Sequence, residues 1–413
     1  SWLQEMCFLS PRRVRGVFTG SRLLSSLLLS RTYLPPVLKP LFRPEGKLRY
    51  EAEDLLKERC LITLADNFKR FSVSPWFRRR VDFYSETVRR LTIAKRFSLI
   101  EEILEDQKKF WNIAEEGFAS RIIILYGRAG MLDHAQRLFD ELPRLNSERT
   151  TRSFNALLSA CLSARNHDKF MEVFRKVPPM LSIKPNLISY TSYVKALCDV
   201  GDLDAAVSAV DDMEWNGFDP NVITYAILLE GFYRNGKFSD ADGVWETLEK
   251  KGIAPIVRCY NAKMETLVGQ KKVSEAVEVF QGLDPKGVKP DGYTFRFLIE
   301  GFCEGKDFGE AKSWYRALEE KQCNKQEEIF WKLVPLALEM NDVGFALQVS
   351  HAAIRQWCTL DPVVLQALVD GLVKESMEEE ANKLVRFLKK TDGFYHSELE
   401  LPPPPEPQES SEE

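Results

Sequence analysis

The sequence predicts an all-α protein, a solenoid of tandem 35-residue helix–turn–helix repeats. Three registers carry that expectation. Aromatic residues recur at Phe154, Tyr190, Tyr225, Tyr260, Phe295 and Phe330, each 35 or 36 residues after the last. A second register with the same period runs Phe139, Phe174, Val210, Trp245, Phe280 and Tyr315, often with Ala four residues earlier, as at Ala206, Ala241 and Ala276. The third is proline, at Pro185, Pro220, Pro255 and Pro290. One period shared by three registers is the mark of a repeat array, in which each unit stacks on its neighbours to bury its apolar face. A chain of 413 residues is too long for one ordinary core, which fits the same reading.

Residues 187–221 show the elements of one unit. Tyr190, Tyr193, Val194, Leu197 and Cys198 lie at i, i+3, i+4, i+7 and i+8, one face of a first helix. Gly201 breaks the run, and Asp202 is placed to cap the second helix by accepting its free backbone N–H groups. Leu203, Ala206, Val207, Val210 and Met213 form the second apolar face. Gly217 ends that helix and Pro220 prevents its continuation. The same register places eight repeats at 81–115, 116–150, 151–186, 187–221, 222–256, 257–291, 292–326 and 327–361. Residues 48–80 are expected to cap the array at its start and 362–395 to cap its end.

The ends of the chain differ in composition. Residues 1–50 hold nine Lys/Arg against Glu5 and Glu45, a net of +7, which leaves −11 for the rest of a chain whose total is −4. That stretch is rich in Arg, Ser and Leu, as in Ser21–Ser30, the composition of an organellar transit peptide. Residues 1–47 are therefore expected to be a targeting leader, with a basic arm retained on the mature protein as the alternative. Residues 396–413, with six Glu and the run Pro402–Pro405, cannot bury a core and are expected to be a disordered acidic tail. No run of 18 apolar residues occurs, so no membrane-spanning helix is expected.

Composition also narrows the chemistry. The eight cysteines are scattered and form no Cys-x-x-Cys pair, so neither zinc nor a disulfide framework is expected. His134, His167, His351 and His396 make no metal pair, and there is no phosphate-cradling glycine loop. His396-Ser-Glu398 matches half of a deaminase signature, but no Cys-x-x-Cys follows. No enzyme activity, cofactor, metal or small-molecule substrate is predicted.

The unit resembles the pentatricopeptide repeat (PPR) family. The resemblance rests on Val222-Ile-Thr-Tyr-Ala226 at a helix start, Gly236-Lys-Phe-Ser-Asp-Ala241 at a hairpin turn and Gly287-Val-Lys-Pro-Asp291 at a repeat end. A 35-residue period separates it from the 34-residue tetratricopeptide repeat. It implies a right-handed solenoid whose first helices line a groove for single-stranded RNA. One base is then read by the fifth and last residues of each repeat. Three such pairs match the family pattern: Asn155 with Asn186, Thr191 with Asn221, and Asn261 with Asp291. The resemblance assigns them to a pyrimidine, an adenine and a uracil. Ile188 and Ile223 fit the position that clamps bases, and Arg128 and Arg234 the position that meets phosphate. The other pairs do not match: Ser85/Glu115, Ser120/Thr150, Ala226/Ile256, Arg296/Gln326 and Trp331/Asp361. Asp199, Glu304 and Glu339 stand where a basic residue is expected. Asn and Thr also favour helix starts without any ligand. The recurrent Tyr and Phe are assigned to core packing by their periodicity.

Leu48–Arg59, Phe118–Gly130 and Ser182-Ile-Lys-Pro185 are similar to P-class PPR proteins of the plant mitochondrial small ribosomal subunit. That similarity implies a scaffold in the mitochondrial matrix that contacts RNA and small-subunit proteins, with rRNA the expected ligand. The alternative is a free organellar factor, mitochondrial or chloroplast, that stabilises, processes or activates translation of particular mRNAs. The sparse base-reading pairs and the acidic body favour the scaffold.

Overall fold

The computed structural model describes residues 51–389, which lie within one compact unit. The expected leader at 1–47 and acidic tail at 396–413 lie outside the described residues. Among the described residues all regular structure is helical. Helices α1 (Leu61–Ser72) and α2 (Pro75–Arg78) precede the repeats. Hairpins then follow: α3 (Val81–Ile93) with α4 (Phe97–Glu105), α5 (Glu116–Arg128) with α6 (Leu132–Glu141), and α7 (Thr151–Ser163) with α8 (His167–Leu181). The middle pairs are α9 (Leu187–Val200) with α10 (Leu203–Trp215), α11 (Val222–Arg234) with α12 (Phe238–Lys250), and α13 (Val257–Gly269) with α14 (Val273–Gln281). The last are α15 (Gly292–Glu304) with α16 (Phe308–Glu320), α17 (Glu327–Glu339) with α18 (Val343–Arg355), and α19 (Pro362–Lys374) with α20 (Glu378–Lys389).

The local signals act as the physics requires. Asp202 accepts a hydrogen bond from the Ala205 N–H at 3.2 Å, capping α10. Gly201 and Gly217 adopt φ of +83° and +80°, which only glycine takes without strain. Helix α9 opens with a capping box: Asn186 Oδ1 accepts from the Ser189 N–H, and Ser189 Oγ accepts from the Asn186 N–H. The aromatic register is core: Phe154, Tyr225, Tyr260, Phe295 and Phe330 are buried, and Tyr190 is half-buried. Cys161, Cys198, Cys259, Cys303 and Cys358 are buried as free thiols, and burial pushes the Cys198 thiol up to about 12.

Successive first helices pack directly against one another, from α5 on α7 through α15 on α17. Second helices pack on the first helices of their own and the next repeat. The first helices thus occupy one continuous face. Their approach is close because small residues sit at the crossings. A Cβ on Gly127 would lie 2.3 Å from Ala160 Cα, and one on Gly292 would lie 1.9 Å from the carbonyl oxygen of Asn324.

Candidate RNA-facing surface

The face made by the first helices carries every candidate residue, and two of the three matching pairs touch. Asn155 Nδ2 donates to Asn186 Oδ1 at 3.1 Å. Ser189 Oγ donates to Asn155 Oδ1 at 2.6 Å, so both amides are tied to the start of α9. Asn261 Nδ2 donates to Asp291 Oδ1 at 3.0 Å, and the same Asp291 oxygen caps α15 through the Tyr293 and Thr294 N–H groups. Asn261 is 7% exposed and its Oδ1 has no hydrogen-bond partner, an acceptor left unspent beside the Asp291 carboxylate.

Thr191 and Asn221 are not joined directly. Thr191 Oγ1 is buried, donates to the Leu187 carbonyl at 2.8 Å and lies 3.2 Å from Thr224 Oγ1. Thr224 Oγ1 in turn donates to Asn221 Oδ1 at 3.3 Å, and that oxygen caps α11. Ile188 is exposed and Ile223 half-buried at the starts of α9 and α11.

Neither candidate phosphate contact is a bare cation. Arg128 reaches Ser85 Oγ at 3.4 Å. Arg234 pairs with Asp199 at 3.0 Å, and Asp199 also takes Lys195 at 2.8 Å. The pattern continues along the face. Arg258 binds Glu230 through two nitrogens at 2.5 and 2.8 Å, and Lys195 lies 3.7 Å from the same carboxylate. Arg296 pairs with Glu328 at 3.0 Å, and Lys332 with Glu304 at 3.1 Å. The Glu300 carboxyl is held above its ordinary value because burial outweighs the attraction of Arg296. A cation already matched to a carboxylate brings little net charge to a phosphate. Sequence reasoning misses Lys195, Glu230 and Arg258. The signal for Lys195 and Glu230 is opposite charge one period apart on the first helix, as also in Asp199 to Arg234, whereas Arg258 lies 28 residues from Glu230 and has no such signal.

A further contact crosses the boundary between the second and third repeats. Glu116, at the start of α5, accepts from the Thr150 N–H at 2.8 Å, the Thr150 hydroxyl at 2.9 Å and the Ser153 N–H at 3.0 Å. Burial pushes this carboxyl up, but the hydrogen bonds outweigh burial and hold it below its ordinary value. No group of three or more His, Cys, Asp or Glu side chains among the described residues is arranged to hold a metal ion. No helix among them is long and apolar enough to cross a membrane.

The hairpins and their stacked first helices define an α-helical repeat scaffold. Sequence profiles described as "PPR repeat family" match residues 185–234 and 255–304. Those described as "Pentatricopeptide repeat domain" match 137–199, and "PPR repeat" matches 120–147, 223–253 and 293–323. The chain belongs to the pentatricopeptide repeat family. Over 154 residues it is 45% identical to small ribosomal subunit protein mS79 (rPPR3b) of Arabidopsis thaliana, a match covering 37% of this chain and 39% of that one. It is 46% identical over 154 residues to small ribosomal subunit protein mS78 (rPPR3a) of the same plant, with the same shares. The chain thus matches well under half the length of these relatives. Among solved structures it is similar to pentatricopeptide repeat protein PPR10 in complex with an 18-nt psaJ RNA element. That match has 16% identity and a TM-score of 0.43, and covers 86% of this chain and 48% of that one.

Proposed function

We propose that this protein is a structural component of the plant mitochondrial small ribosomal subunit, supporting translation in the matrix. It acts by holding RNA and neighbouring proteins and catalyses no reaction. The observation that carries this reading is the 45–46% identity to mS79 and mS78. In it, rRNA is the RNA ligand and small-subunit proteins are the protein partners. Residues 1–47 act as the import leader, residues 81–361 are the eight repeats, and 48–80 and 362–395 cap them.

The surface chemistry supports a scaffold over a transcript-specific reader. Ion pairs along the first helices neutralise the groups that would otherwise grip phosphate. The residues that contact RNA are Asn155 with Asn186, Thr191 with Asn221, and Asn261 with Asp291. Ile188 and Ile223 lie against the bases, and Arg128 and Arg234 lie near phosphates. They touch a few nucleotides whose path is set by the surrounding assembly.

The test is quantitative mass spectrometry across a sucrose gradient of plant mitochondria, with and without mRNA digestion. The protein is expected in the small-subunit peak at about one copy per subunit, unmoved by digestion. Far less than one copy, or a position in light fractions that disappears with nuclease, would establish the free RNA-binding factor instead.

A further inference from the structure

The first repeat touches the eighth. Arg89, on α3, donates from Nη2 to the Gln356 carbonyl at 2.7 Å and pairs through Nη1 with Glu327 at 3.2 Å. Its neighbour Arg90 is fully buried, with its guanidinium carbon 3.5 Å from the centroid of the Trp357 ring. Arg90 also donates to the carbonyls of Leu56 and Glu58, so one side chain ties the segment before α1 to the end of α18. Arg59 lies over the Phe387 ring at 4.1 Å, and Ile93 and Ala94 pack against the C-terminal core cluster. A cavity of about 650 Å³ sits at this seam, lined by residues that include Ile93, Lys95, Trp331, Leu360 and Pro362.

Two physical features set the seam apart from the contacts between consecutive repeats. It joins residues 238 and 267 positions apart, so no chain connectivity enforces it. It is also narrower than the apolar contacts between consecutive repeats, and its most exposed element is an ion pair. The Arg89 and Glu327 side chains keep 34% and 35% of their surface in water, which leaves their attraction open to screening by salt. Contacts of this kind open at low free-energy cost while the repeats on each side stay folded. The stack of Arg90 on Trp357 is the stronger element, because a guanidinium out of water gains most from an aromatic face.

We propose that Arg89, Arg90 and Trp357 form a latch, and that the array interconverts between a form with the seam closed and one with it open. While the latch is closed, a partner cannot enter the first-helix face between the first and eighth repeats. Opening separates the ends by small adjustments spread over the repeat stack, with each hairpin intact. The latch stands on these contacts alone and does not depend on what the array binds.

Small-angle X-ray scattering on the full chain tests it, at 50 mM and 1 M salt, with circular dichroism to follow helix content. The wild type is expected to be compact at low salt and to shift to a larger radius of gyration at high salt. The double variant Arg89→Ala/Trp357→Ala should show the larger radius at both salts with unchanged helix content. Glu327→Gln removes the exposed ion pair and leaves Arg90 and Trp357 in place, so it reports on the latch should the double variant fail to fold. It should open at lower salt than the wild type. Coincident curves for wild type and the folded double variant at 50 mM, a Glu327→Gln radius that follows the wild type's at every step of a salt series between 50 mM and 1 M, or a wild-type radius indifferent to salt would overturn the proposal.

Discussion

Asn155 and Asn186 hydrogen-bond to each other, Nδ2 to Oδ1 at 3.1 Å, which ties the first helix of the third repeat to the cap of the fourth repeat's first helix. The two amides that could read a base are therefore also part of the joint between repeats. Asn186 has a second duty as the cap of α9, which Asn155 lacks.

Asn186→Ala is expected to cost about 1 kcal/mol, the usual loss on removing a helix cap. Asn155→Ala should cost less, since it removes the hydrogen bonds to Asn186 and Ser189 but no cap. The double variant should fall short of the sum of the two, because each single change already breaks the shared bond. Thermal unfolding of the three variants checks the order and the shortfall.

Asp199→Asn should make the protein a better RNA binder. It releases Arg234, held at 3.0 Å, and leaves Lys195, held at 2.8 Å, with only its longer 3.7 Å contact to Glu230. Affinity for a randomised single-stranded RNA should rise. The slope of log affinity against log salt should steepen by about 0.7 for each additional phosphate neutralised. A salt titration of wild type and variant measures both.

Glu116→Gln should weaken the protein at neutral pH and leave it unchanged at low pH. The native hydrogen bonds hold this carboxyl below its ordinary value, so the folded state binds its proton less readily than the unfolded chain does. The stability it contributes is fully present above the ordinary carboxyl range and is lost as pH falls through the depressed native value. Melting temperatures from pH 3 to pH 7 should converge for wild type and variant at the acid end and separate as pH rises.

Gly127→Ala should destabilise the stack by about 1–3 kcal/mol, the usual cost of forcing an extra methyl into a packed interface. The added Cβ would meet the Ala160 backbone at 2.3 Å, and backbone cannot rotate away. Gly130→Ala differs in kind, since its φ of +74° imposes backbone strain with no atom within 4 Å of the new methyl. Hydrogen exchange should show Gly127→Ala loosening α5 and α7 together, and Gly130→Ala loosening the α5–α6 turn alone.

The repeat is legible in the sequence because its signals are local. A helix face, a break at Gly201 and a cap at Asp202 need only a few neighbouring residues, and the structure contains all three. The ion pairs along the first helices are half visible. Asp199 stands out as an acid where a base is expected, but its pairing with Arg234 depends on the spacing between stacked helices. The joining of Arg89 to Gln356 is not visible at all. It depends on small rotations accumulated over eight units, and no single unit records their sum. For the candidate RNA-reading positions, residue type points to Asn155, Asn186, Asn261 and Asp291, while the bond within each pair emerges only from the packed helices.

The boundary contact of Glu116 has a consequence for how such a chain can change length over evolutionary time. Suppose a recombination event excised 151–186. Thr150 would then precede Leu187, and Ser189 would fall where Ser153 had been, three residues on, so Glu116 would meet the same pair of partner types. Gly127 would face Ala196 in place of Ala160, a residue of the same size. At this joint a whole unit can be lost with the splice chemically seamless, whereas a cut out of phase would leave the Glu116 carboxylate without its donors. The end-to-end contact of Arg89 obeys the opposite rule, because it counts units. A lineage could shed the unit after Thr150 at no chemical cost to that joint and still be held to its number of repeats by the need for the first to meet the last.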